Sequence, residues 1–298
     1  GFNVDAIQTF LDDQRHDPPR VYRMTPRRPR LGWSPGDGVV GGFRIRYGQA
    51  PSTGATVEPG EVGLGAATQS YTWDTDRPLG LQRAYIRQQG ENGLWSDPVS
   101  VEILVSYVVD PGTELQYPVD VGAFIGDGEV SLPEAIAGAN RAGATGDAPL
   151  GSSGLDGIIF DLRDYAFAQE VNLTQALPSI TSDLLIVGVV NDPAQLTIDG
   201  GRNFGIFRIF DGEVTLSGLT LREGWSQGED GATTREFQSG GGGGAGMGGG
   251  VFIYGGDPAR VSETGTDFSP DVLIDGVQFL RNRALGGNGA DAGRLTMG

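Results

Sequence analysis

The chain has 298 residues, 51 of them glycine, with no cysteine, 38% hydrophobic content and a formal net charge of −17. The acidic balance argues against a general nucleic-acid binder and against docking on anionic membranes, since both need positive charge. The missing cysteines exclude disulfides, thiolate zinc sites and cysteine nucleophiles, and no run approaches the ~18 apolar residues of a membrane span.

All 21 basic residues are arginine, which fits a GC-rich genome, a saline habitat, or both. The chain begins at Gly1 with no visible signal peptide, as expected of a processed chain or a fragment.

Residues 1–17 place Val4, Ile7, Phe10 and Leu11 at helical spacing before Pro18-Pro19, which predicts a short amphipathic lead-in helix. His16, the sole histidine, lies in this polar stretch and reads as solvated.

Residues 18–106 alternate apolar and polar positions in short runs (RLGW, GGFRIRYG, SYTWD, LQRAYIRQQ, VSVEILV) cut by Gly, Pro and Asp. That spacing predicts an antiparallel β-sandwich. Trp33, then Gly42-Phe43-Arg44-Ile45-Arg46-Tyr47, then Tyr85-Ile86-Arg87 and Gly93-Leu94-Trp95-Ser96 resemble strands of a fibronectin type III domain. The resemblance implies a spacer or binding module without catalysis. Residues 49–67 show no clear strand pattern. Arg20, Arg23, Arg27, Arg28 and Arg30 read as solvated strand and turn positions, with docking of an acidic partner as the alternative.

Residues 107–130, broken by Pro111, Gly112, Pro118 and Asp127-Gly128, read as a linker and entry strand. Residues 131–142 predict a helix: Leu132, Ala135, Ile136 and Ala139 share one face, and Ser131 with Glu134 makes a capping box. Such a helix can cover the open first coil of a solenoid.

From residue 157 the chain is a succession of short apolar runs closed by glycine. Val214-x-Leu216-x-Gly218-Leu219-x-Leu221-x-x-Gly224 matches Val272-x-Ile274-x-Gly276-Val277-x-Phe279-x-x-Asn282, with a shorter copy at Leu184-x-Ile186-x-Gly188. A recurring unit of strands and glycines predicts stacked coils, a β-solenoid over residues 131–298. The tract from Gly240 to Gly250 has no Gly-Lys-Ser/Thr and reads as a structural or flexible loop returning into the strand at 251–254, with ligand approach as the alternative. Asn172-Leu173-Thr174 is a sequon for which no glycan is expected. No closing cap precedes Gly298, so the natural chain is expected to continue, or this end to be covered.

Gly126-Asp127-Gly128-Glu129-Val130-Ser131-Leu132-Pro133-Glu134-Ala135-Ile136 with Ala139-Asn140 resembles the motif CSLREAI…AN that opens secreted bacterial right-handed parallel β-helix proteins. Val130 stands where Cys is usual and Pro133 where Arg is usual. The resemblance implies an all-β chain: a fibronectin-like antiparallel β-sandwich, then a right-handed parallel β-helix with an N-terminal capping helix.

Parallel β-helices include sugar-chain lyases and hydrolases, whose sites gather acids on one face with calcium or a basic residue. Asp161, Asp164, Asp183, Asp192, Asp199, Asp211, Glu213, Asp271 and Asp275 are scattered, most beside turn residues. Arg202, Arg208, Arg222 and Arg281 lie in or near strands and leave an arginine base with acid-bound calcium open. Three or more carboxylates plus an arginine converging in one groove would favour the enzyme.

No catalytic or cofactor-binding residue is assigned, and metal ligands are unknown. The leading reading is an extracellular or cell-surface structural or adhesive protein, presenting an elongated surface to a glycan, a protein or another copy through the open solenoid end. The alternatives are a polysaccharide lyase or hydrolase and a calcium-dependent structural repeat protein.

Overall fold

The computed structural model describes residues 3–6, 23–34, 40–109, 128–141, 145–162, 168–189, 192–231, 242–255 and 270–289. The first part holds β1 (Asn3–Ala6), β2 (Arg23–Thr25), β3 (Arg30–Ser34), β4 (Val40–Tyr47), β5 (Glu61–Gly65), β6 (Ser70–Thr72), β7 (Gly80–Gly90) and β8 (Val99–Val105). They form two sheets, ordered β2-β8-β7-β4-β5 and β1-β3-β6. Every pairing is antiparallel except β2 with β8. Alternate residues point to a shared core: Leu31 and Trp33 from one sheet meet Phe43, Ile45 and Ile86 from the other. The Trp33 and Phe43 rings lie 5.2 Å apart.

Two expectations are corrected here. Residues 3–6 are strand and not helix, because they pair antiparallel with β3 and supply the edge of the small sheet. Backbone pairing with a distant strand overrides a weak local i,i+3 pattern. The rest of the expected helix, His16 included, lies outside the described residues. The head of the expected linker is also strand: β9 (Tyr107–Val109) pairs in parallel with β10 (Asp156–Phe160). Residues 110–127 lie outside the described set.

Beyond β9 come α1 (Leu132–Ala139), β10, β11 (Gln169–Asn172), β12 (Leu184–Val187), β13 (Leu196–Asp199), β14 (Phe207–Ile209), β15 (Glu213–Ser217), β16 (Thr220–Arg222), β17 (Trp225–Gln227), β18 (Val251–Ile253), β19 (Asp271–Asp275), β20 (Gln278–Leu280) and β21 (Arg283–Leu285). They stack as four sheets, β9-β10-β12-β15-β19, β11-β13-β16-β20, β14-β18 and β17-β21. Every pairing in them is parallel. The architecture is therefore mostly β and β-helix-like. The internal repeat is a true register: Leu184 pairs with Val214 and Val214 with Val272, while Leu221 pairs with Phe279. Its apolar positions stack inward as Ile158, Ile186 and Leu216 on one sheet and Val171, Ile198 and Leu221 on the next, all buried.

β10 and β12 are buried at every position because both faces are covered. Ile159, Leu185 and Val187 face outward and pack on Met24 and Leu104 of the antiparallel part. Gly157 lets the two parts close, since a Cβ there would sit 2.6 Å from Met24 Cε and 2.4 Å from Ser106 Oγ. The two parts thus share a buried apolar junction. At β19 to β21 the same repeat positions are uncovered, with Phe279, Leu280 and Leu285 exposed.

Candidate functional site

Three features of the parallel stack carry polar or aromatic chemistry. The first lies at α1. Ser131 and Glu134 form the capping box, in which the Ser131 backbone N–H and hydroxyl both donate to Glu134 Oε2 at 3.0 Å. Glu134 Oε1 accepts from Asp147 N–H at 3.3 Å, so a fully buried carboxylate is held by donors on every side. All eight helix residues are buried. Gly138 allows the approach of Tyr107, whose hydroxyl would lie 2.6 Å from a Cβ there. At the other end Asn140 clamps the helix to the first coil. Its Nδ2 donates to Ser179 O at 2.7 Å, and its Oδ1 accepts from Thr181 N–H at 2.9 Å and from the Ser182 hydroxyl at 3.3 Å.

A cleft of about 390 Å³ opens beside this clamp, lined by Asn140, Arg141, Ser152, Ser153, Thr181, Ser182, Asp183 and Asp211 among others. Asp183 Oδ1 accepts from Glu213 N–H at 2.8 Å and Asp211 Oδ1 from Gly212 N–H at 2.9 Å. Each keeps a second carboxylate oxygen. Behind the cleft Asp156 is buried, and burial pushes its carboxyl above the ordinary range against the opposing hydrogen bonds from Ser152.

The second feature is a charged corner at the ends of β13, β16 and β20. Asp199 and Arg222 are register partners. Arg222 Nε donates to Asp199 at 2.6 Å, and its Nη2 bridges Asp199 and Glu170, both at 2.5 Å. Just past these strand ends the chain turns left-handed in successive coils at Arg202, Glu223 and Arg281, with φ of 58°, 51° and 56°. Their side chains stack as plus, minus, plus. Arg202 pairs with Glu223 through Nε, and Arg281 Nε lies 3.0 Å from Glu223 Oε1.

The corner thus brings together Asp199, Arg202, Arg222 and Arg281, which looked scattered in the sequence, and adds Glu170 and Glu223. Three carboxylates and three arginines do converge. Each carboxylate is matched by a guanidinium, however, and the Arg202 hydrogen bond holds Glu223 below the usual carboxylate range. A general acid needs the opposite shift, and a guanidinium that is always charged abstracts no proton. The corner is therefore built as a charge ladder that ties coils together.

The third feature is aromatic. Phe207 and Ile209 point into the core at 1% and 0% exposure, so Arg208 and Phe210 face out. Register puts Phe252 beside Arg208, and Tyr254 follows on the same face. Phe210, Phe252 and Tyr254 form a triangle with ring centroids 5.7 to 6.4 Å apart. None of the three belongs to the buried core. In the sequence these rings are indistinguishable from core positions of FGIFRIF and VFIY. The available signal was the adjacency of Ile209 and Phe210, which strand alternation must send to opposite faces.

The remaining candidates stand apart. Asp192 accepts from Gln195 Nε2 at 3.1 Å, and Arg208 donates to Leu177 O at 3.0 Å. Asp271 and Asp275 lie in β19, and Asp164 lies outside the described residues. Among the described residues no three of His, Cys, Asp and Glu are grouped to hold a metal ion, and no helix is long and apolar enough to cross a membrane. Arg27 and Arg28 of the basic run both pair with Asp76, at 3.0 and 2.8 Å.

The glycine tract packs backbone on backbone. Gly244 N–H donates to Glu229 O at 2.7 Å and Gly287 N–H to Gly244 O at 2.8 Å. A Cβ on Gly246 would lie 2.0 Å from Leu285 O. The tract is a spacer of minimal thickness between neighbouring backbones, not a ligand loop.

No family model matches the chain. No curated protein matches it. Among solved structures, it is similar to a family 28 exopolygalacturonase of Yersinia enterocolitica at 12% identity and a TM-score of 0.19, over 86% of this chain and 52% of that one. The chain spans about half the length of that enzyme, and at this score the likeness carries no argument.

Proposed function

We propose that the protein is an extracellular or cell-surface structural or adhesive protein that presents its stacked coils to a glycan, a protein or another copy. In this reading the antiparallel sheets are a fibronectin type III-like sandwich, the stack is a right-handed parallel β-helix of the secreted bacterial kind, and α1 caps its first coil. The observation that carries the reading is the charged corner. The acids that an enzyme of this architecture would leave free are there matched by arginines. The buried junction of Met24 and Leu104 with Leu185 and Val187 adds support, because it joins the two parts through packed apolar side chains.

The test is incubation of the purified protein with acidic and neutral polysaccharides, followed by measurement of chain length and of new reducing ends. Unchanged polymers are expected. Depolymerisation of any of them would overturn the reading in favour of a polysaccharide lyase or hydrolase. The gathering of Glu170, Asp199 and Glu223 at one corner is the observation that favours this second reading.

A further inference from the structure

We infer that Phe210, Phe252 and Tyr254 form a stacking platform for an uncharged polysaccharide whose chain runs on into the polar cleft beside Asn140. The inference rests on the surface-presenting reading above and names its ligand class and its site.

Phe252 lies on β18, and Phe210 and Tyr254 directly follow the paired strands β14 and β18; the three rings are set in a triangle and outside the core. Tyr254 is 41% exposed. Phe210 and Phe252 are half-buried, so the open part of the triangle centres on Tyr254. An exposed ring is well matched by the C–H face of a sugar ring, which buries apolar area while leaving hydroxyls at the rim.

The platform and the cleft adjoin. Phe210 N–H donates to Ile180 O at 2.9 Å, which puts Phe210 next to Thr181. Phe210 is followed directly by Asp211, and Thr181 and Asp211 both line the cleft. A volume of about 390 Å³ falls in the ~300–1,000 Å³ range of ligand sites. Its lining includes residues with hydroxyls (Ser152, Ser153, Thr181), a guanidinium (Arg141) and two carboxylates (Asp183, Asp211). That is the mixture of donors and acceptors that vicinal hydroxyls require.

Charge selects within the glycans. Two carboxylate residues and one arginine line the cleft, on a chain of net charge −17. A polyuronate is repelled from such a surface and a neutral chain is not. Size disfavours a protein partner, since three rings bordered by polar side chains fall well short of the ~800 Å² per side of a stable protein interface.

The experiment is native electrophoresis in gels cast with galactomannan, β-glucan or xylan, and in parallel with polygalacturonate. At least one neutral polymer should retard the protein, and polygalacturonate should not. Phe252→Ala and Tyr254→Ala should each weaken binding by about tenfold, the scale of one aromatic contact. Tyr254→Phe should bind like the parent, and all three variants should melt like it, because these rings lie outside the core.

Lack of retardation by every neutral polymer, or retardation by polygalacturonate alone, overturns the inference. Alanine variants that bind like the parent overturn the assigned site while leaving the surface-presenting reading in place. Shortening of the polymer in the gel overturns the surface-presenting reading instead, even where the alanine variants lose retardation.

Discussion

Arg222 sits in register against Asp199, and its Nε donates to that carboxylate at 2.6 Å while its Nη2 reaches on to Glu170. One guanidinium therefore joins strands of three coils. Asp199 has a side chain only 9% exposed, so it depends on this partner.

Replacing Arg222 by methionine keeps the stem and removes the fork. The expected loss is about 1–3 kcal/mol, the cost of leaving a largely buried acceptor unmatched. Urea unfolding with an unchanged m-value checks it. Arg83→Met, which breaks a bridge to Glu102 between well exposed side chains, should leave the midpoint unchanged.

The glycine tract separates packing from composition. Gly243→Ala and Gly246→Ala each bring a Cβ to 2.0 Å from a carbonyl oxygen, of Gly287 and Leu285 respectively. Each should cost about 1–3 kcal/mol, typical of overpacking. Gly242→Ala meets nothing within 4 Å and should be neutral. Equal behaviour of all three in thermal melts would mean that the tract is not packed as described.

Asn140 connects α1 to the turn at Ser179 to Ser182 through both ends of its amide. Asn140→Ala should destabilise by about 1–3 kcal/mol, and Asn140→Asp, which sets a carboxylate oxygen against Ser179 O in place of the donor, should cost at least as much. Hydrogen exchange at Thr181 N–H reads the clamp directly and should quicken in the alanine variant.

Stability should depend on pH in two opposing ways. Burial raises Glu61, but hydrogen bonds from Ser52 and Glu58 and the charge of Arg44 outweigh it and leave the carboxyl below its ordinary 4.5. The folded state then binds the proton less tightly than the unfolded one. The stabilising contribution is present above pH 4.5 and lost as pH falls through the lowered folded value. Asp156 is the reverse: raised above 3.8 by burial, it favours folding below pH 3.8 and loses that contribution as pH rises through its folded value. Urea midpoints from pH 3 to 7 should show Glu61→Gln with a flatter acid limb than the parent. Asp156→Asn should gain on the parent as pH rises.

How much of this was legible follows from how far apart the partners lie in sequence. The repeat that aligns Val214 with Val272 and Leu221 with Phe279 was readable because equal spacing within a coil survives any insertion between coils. The Ser131–Glu134 capping box was readable because it is local. The charged corner was not: Glu170, Asp199, Arg222 and Arg281 meet only because successive coils close over loops of unequal length.

The stretch from 49 to 67 looked patternless for a related reason. Its leading loop is held by arginines of the preceding strand β4 and of the distant strand β7. Arg44 Nη1 donates to the Ser52 hydroxyl at 2.8 Å with its guanidinium 4.5 Å over the Trp95 ring, and Arg87 Nε donates to Pro51 O at 2.9 Å. The helix expected at residues 1–17 failed at Asn3–Ala6 because four residues of edge pairing decide more than four apolar residues at helical spacing. The aromatic platform was hidden because outward and inward rings look alike until register assigns them a face.

Metal removal offers a further check on the corner. Its carboxylates are matched by arginines, so a chelator should leave the melting temperature unchanged, and added calcium should give neither heat nor a shift. A calcium-dependent rise in melting temperature would instead support the calcium-bound repeat alternative.

We propose that the outer face of the coils holds a polysaccharide without cutting it. Size-exclusion chromatography of a neutral polysaccharide after prolonged incubation with the protein tests both halves at once. The expected result is protein co-eluting with polymer of unchanged size. Polymer shifted to smaller size, or protein eluting wholly apart from every neutral polymer, would contradict it.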